Sequence, residues 1–381
     1  MNLCVVKLLF ALLLTVAFPL FGEAAIDVTY FIGMDQHVHE IRFNGTTWST
    51  RDLNAATGAP SAATGSPLTG HVYGTADNIY YIATDNHVHE LTYYGSPATW
   101  HTVDATALAG APNARSGSPL SSLVDGNADD IYYIATDGHI HELAFYSSTW
   151  HHADITGLSG APNPTAASPL TSEFYSPNST ENTYYIAADN HVHQIKFNAR
   201  NSTWGTADLN AITGAPNAAS GSALTSHIYG NSDNIWYIAT DGHIHEFAFY
   251  SNIWHTADIT ALGGAPIPVA GSKLAGNQNG STDDVYFIAP DPHVHLLWFN
   301  GINSWGSTNV TALSGAPAPY QATALASHVY GTAENVYYFT PDQHLREMAF
   351  YSNSWHAADL TTLSGAPYAA VGSALLSFVG L

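Results

Sequence analysis

The sequence predicts an all-β chain, a seven-bladed β-propeller, and three observations predict it. The first is a repeat. His-x-His begins at His37, His87, His139, His191, His243 and His293, with a degenerate seventh copy, His-Leu-Arg, at His344. Gly-Ala-Pro begins at Gly58, Gly110, Gly160, Gly214, Gly264, Gly315 and Gly365. Between them stand Trp48, Trp100, Trp150, Trp204, Trp254, Trp305 and Trp355, followed four residues later by Asp52, Asp104, Asp154, Asp208, Asp258, Asn309 and Asp359. Spacings of 50 to 54 residues mark a repeat architecture. The second observation is four strand-like segments in each repeat, the blade pattern of a propeller. The third is that nothing keeps a helical period over a useful length.

The second repeat shows the elements in order. Ile79–Thr84 (IYYIAT) is β-branched and aromatic, and Asp85-Asn86 then forms a tight turn. His87–Tyr94 (HVHELTYY) is the next strand, and in other repeats the same turn is Asp-Gly, a strong hairpin signal. Trp100–Thr106 reads as a third strand, and a Gly/Ala/Pro/Ser loop leads to a fourth around Leu120–Val124. The repeats fall at about 26–78, 79–130, 131–182, 183–234, 235–284, 285–335 and 336–381.

Their phase predicts how the ring closes. The chain enters on a second strand, Val28–Ile32, and ends on Ser373–Val379, which is similar to Leu68–Tyr73 and Leu224–Tyr229. The C-terminal strand should therefore complete the first of the four-stranded blades. An open array or β-helix would need capping units, which the repeats lack.

Met1–Ala25 carries one basic residue, Lys7, an apolar run from Leu8 to Phe18, and small residues at Ala24-Ala25, as a secretory signal peptide does. The run is too short for a membrane anchor, so residues 26–381 are expected to be an exported, extracellular domain without membrane insertion. The one cysteine, Cys4, lies in that segment, leaving residues 26–381 without disulfide, thiolate metal site or cysteine nucleophile. With 30 acidic residues against 8 basic ones, nucleic acid is not an expected partner.

Asp137 to Leu143 (DGHIHEL), followed by a Trp-His pair and a Gly-Ala-Pro loop, resembles the seven-bladed Photorhabdus-type fucose-binding lectins; the likeness spans residues 26–381. It implies several sugar pockets between neighbouring blades, taking L-fucose or O-methylated sugars without a metal. A weaker likeness to the six-bladed Aleuria-type lectins stops at an arginine those repeats carry and IYYIAT does not.

Each recurring residue has two readings. Tryptophan offers a flat apolar face for a sugar, or locks a strand into the core. The glutamate after His-x-His (Glu40, Glu90, Glu142, Glu246, Glu347) lies on the strand face opposite the histidines. It can accept sugar hydroxyls or backbone N–H groups. The histidine pairs have only the turn aspartates nearby (Asp35, Asp85, Asp137, Asp189, Asp241, Asp291, Asp342), short of a zinc set, so no metal or other cofactor is expected. The aspartate after each Trp reads as structural.

Repeats two, three, five and seven pair the glutamate with a Tyr ending its strand and a His after the Trp. They give the candidate sugar-binding sets Glu90, Tyr94, Trp100 and His101; Glu142, Tyr146, Trp150 and His151; Glu246, Tyr250, Trp254 and His255; and Glu347, Tyr351, Trp355 and His356. Glu40 and Trp48 make a weaker set, and Leu296 a silent one. Repeats one, four and six share His71, His227 and His328 in the fourth strand instead, as though pockets came in two kinds. The expected function is a secreted, multivalent lectin for fucosylated or O-methylated glycans, not an enzyme. A propeller glycosidase would need one unlike carboxylate pair, and a protein-binding scaffold a blade-specific face.

Overall fold

The computed structural model describes residues 26–126, 128–302 and 304–381; the signal segment expected at 1–25 lies outside them. Seven four-stranded antiparallel sheets are present. In blade 2 the strands run, from the inner edge outwards, Leu68–Tyr73, Ala76–Ile82, Val88–Gly95 and Ala98–Asp104. The inner strands of successive blades neighbour one another all the way round, so they line the axis. Inner strands also bond across blades through Thr69–Ser122, Ser121–Ser172 and Thr171–Ser226.

Closure follows the predicted phase. Leu375–Gly380 pairs antiparallel with Ile26–Ile32, from Ile26 opposite Gly380 to Phe31 opposite Leu375, and becomes the inner strand of blade 1. The same shift applies to every repeat. The segment read as the fourth strand of one repeat is the inner strand of the next blade, so blades straddle the repeat boundaries read from sequence.

The core is a set of apolar layers between blades. Tyr30 and Val28 of blade 1 pack with Ile79, Leu91 and Trp100 of blade 2, and Tyr337 and Phe339 of blade 7 with Phe31 and Ile41 of blade 1. A ring closed by such layers leaves no exposed sheet face to cover.

One element is a correction to the sequence reading. The strand drawn as Trp100–Thr106 ends at Asp104, and a five-residue helix, Ala105–Ala109, follows; every blade has its counterpart. Asp104 is its N-cap, accepting from Ala107 N–H, and Gly110 ends it at φ +64°, where glycine is free of Cβ strain. The aspartate four after each Trp is thus a helix cap, with Asn309 serving equally in blade 6. The Gly-Ala-Pro loop that follows is anchored by the next blade, where the Tyr133 hydroxyl donates to Pro112 O at 2.6 Å, as Tyr81, Tyr185, Tyr237 and Tyr338 donate to Pro60, Pro162, Pro216 and Pro317.

Candidate functional site

Side chains alternate along each strand, so one face of a blade looks towards the next blade and the other towards the preceding one. Glu90, Tyr94 and His101 share the forward face of blade 2; Trp100, paired with Tyr93, is on the backward face. The expected grouping of Glu, Tyr, His and Trp from one repeat is therefore not what the ring brings together. Trp100 packs edge-on against Tyr30 of blade 1, ring centres 6.3 Å apart, and Trp150, Trp254 and Trp355 likewise meet Tyr80, Tyr184 and Tyr286 of the blades before them. Each glutamate shares its interface with the next blade's tryptophan. The tryptophans are partly core and partly pocket wall: Trp100 and Trp150 are buried, Trp48, Trp254, Trp305 and Trp355 half-buried.

The tyrosine–histidine pairs stack on each other. Ring centres are 4.0 Å apart for Tyr146 and His151, 3.9 Å for Tyr250 and His255, and 4.1 Å for Tyr351 and His356. Tyr94 meets His101 edge-on at 5.5 Å. Stacked rings leave no slot for a sugar between them, and these histidines form an outer wall.

What floors the interface is a set the sequence reading split in two. His71 lies on the inner strand of blade 2, and its Nε2 is 2.8 Å from Asp129 Oδ1 of blade 3. Asn78 donates to the other oxygen of Asp129 at 2.7 Å, and the Tyr80 hydroxyl donates to that carboxylate while reaching Glu90 Oε1 at 3.2 Å. The pattern recurs between blades 5 and 6, where His227 is 2.7 Å from Asp283 and Asn234 donates to Asp283 at 2.8 Å, with Glu246 alongside and Trp236 in the tyrosine's place. It recurs again between blades 7 and 1, with His328 3.1 Å and Asn335 2.8 Å from Asp27, Tyr337 bonded to Asp27, and Glu347. The two kinds of repeat are two halves of one blade: repeats one, four and six supply the inner histidine, and repeats two, five and seven the glutamate. At His227 and His328 the Nδ1 atom has no hydrogen-bond partner among the described residues. Buried polar atoms of this kind call for one.

The other four interfaces depart from the set. Between blades 1 and 2, Phe378 stacks on Tyr30, Arg42 covers the Tyr93 ring, and Leu381 N–H donates to Asp77. Glu40 is 1% exposed there, beneath Arg42, and is not open to a ligand. Between blades 3 and 4, Leu123 replaces the histidine and Asp130 the asparagine, next to Glu142 and Glu181. Between blades 4 and 5, Glu173 and Gln194 stand in, and Lys196 lines a gap of only about 30 Å³. Between blades 6 and 7, Leu296 and Trp298 replace the glutamate and its small neighbour. The cavity, about 570 Å³, is lined by Leu296, Trp298, Phe350 and Trp355 together with the polar Asn279, Asp284 and Glu334. Among the three complete interfaces, the one between blades 5 and 6 holds a cavity of about 550 Å³ lined by Glu246, Tyr250, Asp283, Phe299 and Trp305. That size suits a small molecule.

Burial and a neighbouring carboxylate hold these glutamates protonated to unusually high pH: Glu90 is pushed up to about 7 with Asp129 beside it, and Glu246 and Glu347 to about 8 with Asp283 and Asp27. The effect is larger between blades 3 and 4, where burial and clustering raise Asp130 to about 10, Glu142 to about 7 and Glu181 to about 8. Unfolded, these groups release protons near 3.8 to 4.5. Between the two ranges the unfolded chain binds fewer protons, so stability falls as pH rises. The turn aspartates have lowered values, burial being outweighed by their bonds to the histidines, and oppose this only as pH drops below about 4. The melting temperature should peak near pH 5 and decline towards pH 9; a steady rise over that span would contradict the clustered-carboxyl account.

On the opposite rim the histidine pairs bond to aspartates. His89 Nε2 is 3.0 Å from the turn residue Asp85, and His87 Nδ1 is 2.7 Å from the helix cap Asp104. The sequence reading counted only the turn aspartate; the fold supplies a second.

Neither a protein-family model nor a curated protein matches the sequence. Solved structures do. The BP39L lectin from Burkholderia pseudomallei superposes with a TM-score of 0.70 at 13% identity, over 88% of this chain and 95% of that one. The chains share a fold. The SapL1 lectin, solved with α-methyl fucoside, gives 0.55 at 17% identity over 77% and 95%. The Aleuria aurantia lectin, also solved with α-methyl-L-fucoside, gives 0.55 at 17% over 81% and 100%. The Aleuria lectin is a six-bladed propeller, against seven blades here.

Proposed function

We propose that this chain is a secreted, non-enzymatic, multivalent carbohydrate-binding protein whose main pockets lie between blades 2 and 3, 5 and 6, and 7 and 1. The observation that carries this reading is the threefold recurrence of one polar floor (His, Asn, Tyr or Trp, Glu and the next blade's Asp) beside that blade's tryptophan. Carboxyl groups and an imidazole hydrogen-bond sugar hydroxyls, the bonds becoming charge-assisted where the carboxyl is ionised, and an indole face takes the C–H side of the ring. Three like sites on one ring gain avidity for clustered glycans without a new contact. The similar lectins solved with fucosides, together with the motif resemblance, support fucosylated or O-methylated glycans as ligands. Glycoside hydrolysis fits less well: the Glu90–Asp129 pair is bridged by Tyr80 rather than held apart across a scissile bond, and it recurs at three interfaces.

A glycan array followed by calorimetric titration tests the reading, with three sites per chain expected. Binding should survive dialysis against a chelator, because the floor aspartate of blade 3 is already taken by His71, Asn78 and Tyr80. No saturable glycan binding, or binding lost to chelation and restored by metal, would overturn it.

A further inference from the structure

The rim opposite the pocket mouths carries a second repeated cluster. The turn that joins second to third strand presents the histidine pair, and the short helix presents its capping aspartate beside it. In blade 2 one donor atom from each of Asp85, His87, His89 and Asp104 lies within 4.8 Å of every other, and in blade 4 the same holds for Asp189, His191, His193 and Asp208. We propose that these two clusters bind a divalent transition-metal ion, with zinc the fitting probe, as two-histidine, two-aspartate sites.

The donor set suits zinc. Nitrogen and carboxylate ligands, four in number, match its tetrahedral preference, whereas calcium takes six to eight oxygens. Both carboxylates are oriented by their second oxygen: Asp85 Oδ1 accepts from His87 N–H at 3.0 Å, and Asp104 Oδ1 from Ala107 N–H at 2.8 Å. Each therefore turns Oδ2 towards an imidazole, the outer-sphere anchoring that fixes metal ligands.

A second observation comes from blade 7. There Arg346 replaces the second histidine, and its guanidinium bridges both carboxylates, 2.9 Å from Asp342 and 2.6 Å from Asp359. The chain itself places a cation between these two aspartates where a histidine is missing. Blade 6 has lost a charge, since Asn309 caps its helix and leaves Asp291, His293 and His295.

Titrating the metal-stripped full chain with zinc chloride at neutral pH should show at least two tight ions per chain, with a rise in melting temperature as zinc is added. Cobalt in their place should give the visible absorption of tetrahedral coordination. Asp104→Asn with Asp208→Asn should remove the sites of blades 2 and 4, lowering the count by two, while leaving the metal-free melting temperature close to that of the parent, because asparagine caps the helix in blade 6. His89→Arg with His193→Arg should abolish them too, by copying blade 7. Absence of saturable zinc binding, or an unchanged number of tight ions in the Asp→Asn variant, overturns the proposal. Glycan binding has separate residues and a separate readout, so failure here leaves the sugar pockets untouched.

Discussion

A chain lacking Ser373–Leu381 is expected to be insoluble or to melt far below the full-length protein. The segment supplies the whole inner strand of blade 1, six residue pairs along Ile26–Phe31. It also packs against the inner strands of blades 7 and 2, so its loss opens the Ile26–Ile32 edge and uncovers both neighbours. Phe378 leaves the Tyr30 ring, and Leu375 and Leu376 leave the layers on either side of blade 1. Each large apolar side chain removed from a packed layer costs about 2–5 kcal/mol. Three together rival the roughly 5–15 kcal/mol of a typical domain. Ser373 Oγ, which accepts from Ile32 N–H at 2.9 Å, and Leu381, whose carbonyl accepts from Arg42 at 3.0 Å, add polar ties. Thermal unfolding and size-exclusion chromatography read the result. An unchanged melting temperature would mean that the ring is not closed by this strand.

The second large effect concerns the pockets. Replacing Glu90, Glu246 and Glu347 together by leucine should eliminate measurable glycan binding. Each single replacement should reduce the counted sites from three to two. Leu296 already occupies this position between blades 6 and 7, so the fold accommodates the substitution. Where the carboxyl is ionised, above about pH 8, losing this charged acceptor costs about 1.5–3 kcal/mol, or about ten- to a hundredfold in affinity at that site. Trp305→Ala should weaken the site between blades 5 and 6, to which Glu246 belongs, and leave Glu347's site alone. If it instead weakened a site shared with Leu296, Glu and Trp would be partners within one repeat after all. Binding that persists in the triple variant, or that depends equally on Glu142, would return the assignment to the sets read repeat by repeat.

What the sequence determined by itself is local and periodic. Alternating β-branched and aromatic runs, Asp-Asn and Asp-Gly turns, and the seven Trp and Gly-Ala-Pro markers define strands and blades, because each depends on neighbours a few residues away. The terminal strand's likeness to Leu68–Tyr73 revealed closure for the same reason. The five-residue helices escaped, since little more than one turn shows no period. Their caps were nonetheless present as an aspartate, or Asn309 in one repeat, six residues before each Gly-Ala-Pro glycine. The candidate site was legible only in part. Alternation placed Glu90 opposite His89, and the Glu, Tyr and His of one repeat do share a face. Which surfaces meet was settled by the tertiary structure. Moving the inner strand one blade onward puts His71 with Glu90, and ring geometry sets Trp150 rather than Trp100 against that face. The same folding brings Asp104 to His87, giving the rim a second carboxylate. Contacts across an interface join side chains about fifty residues apart, as Asn78 and Tyr80 reach Asp129, and spacing alone does not say which of two neighbouring blades a residue faces.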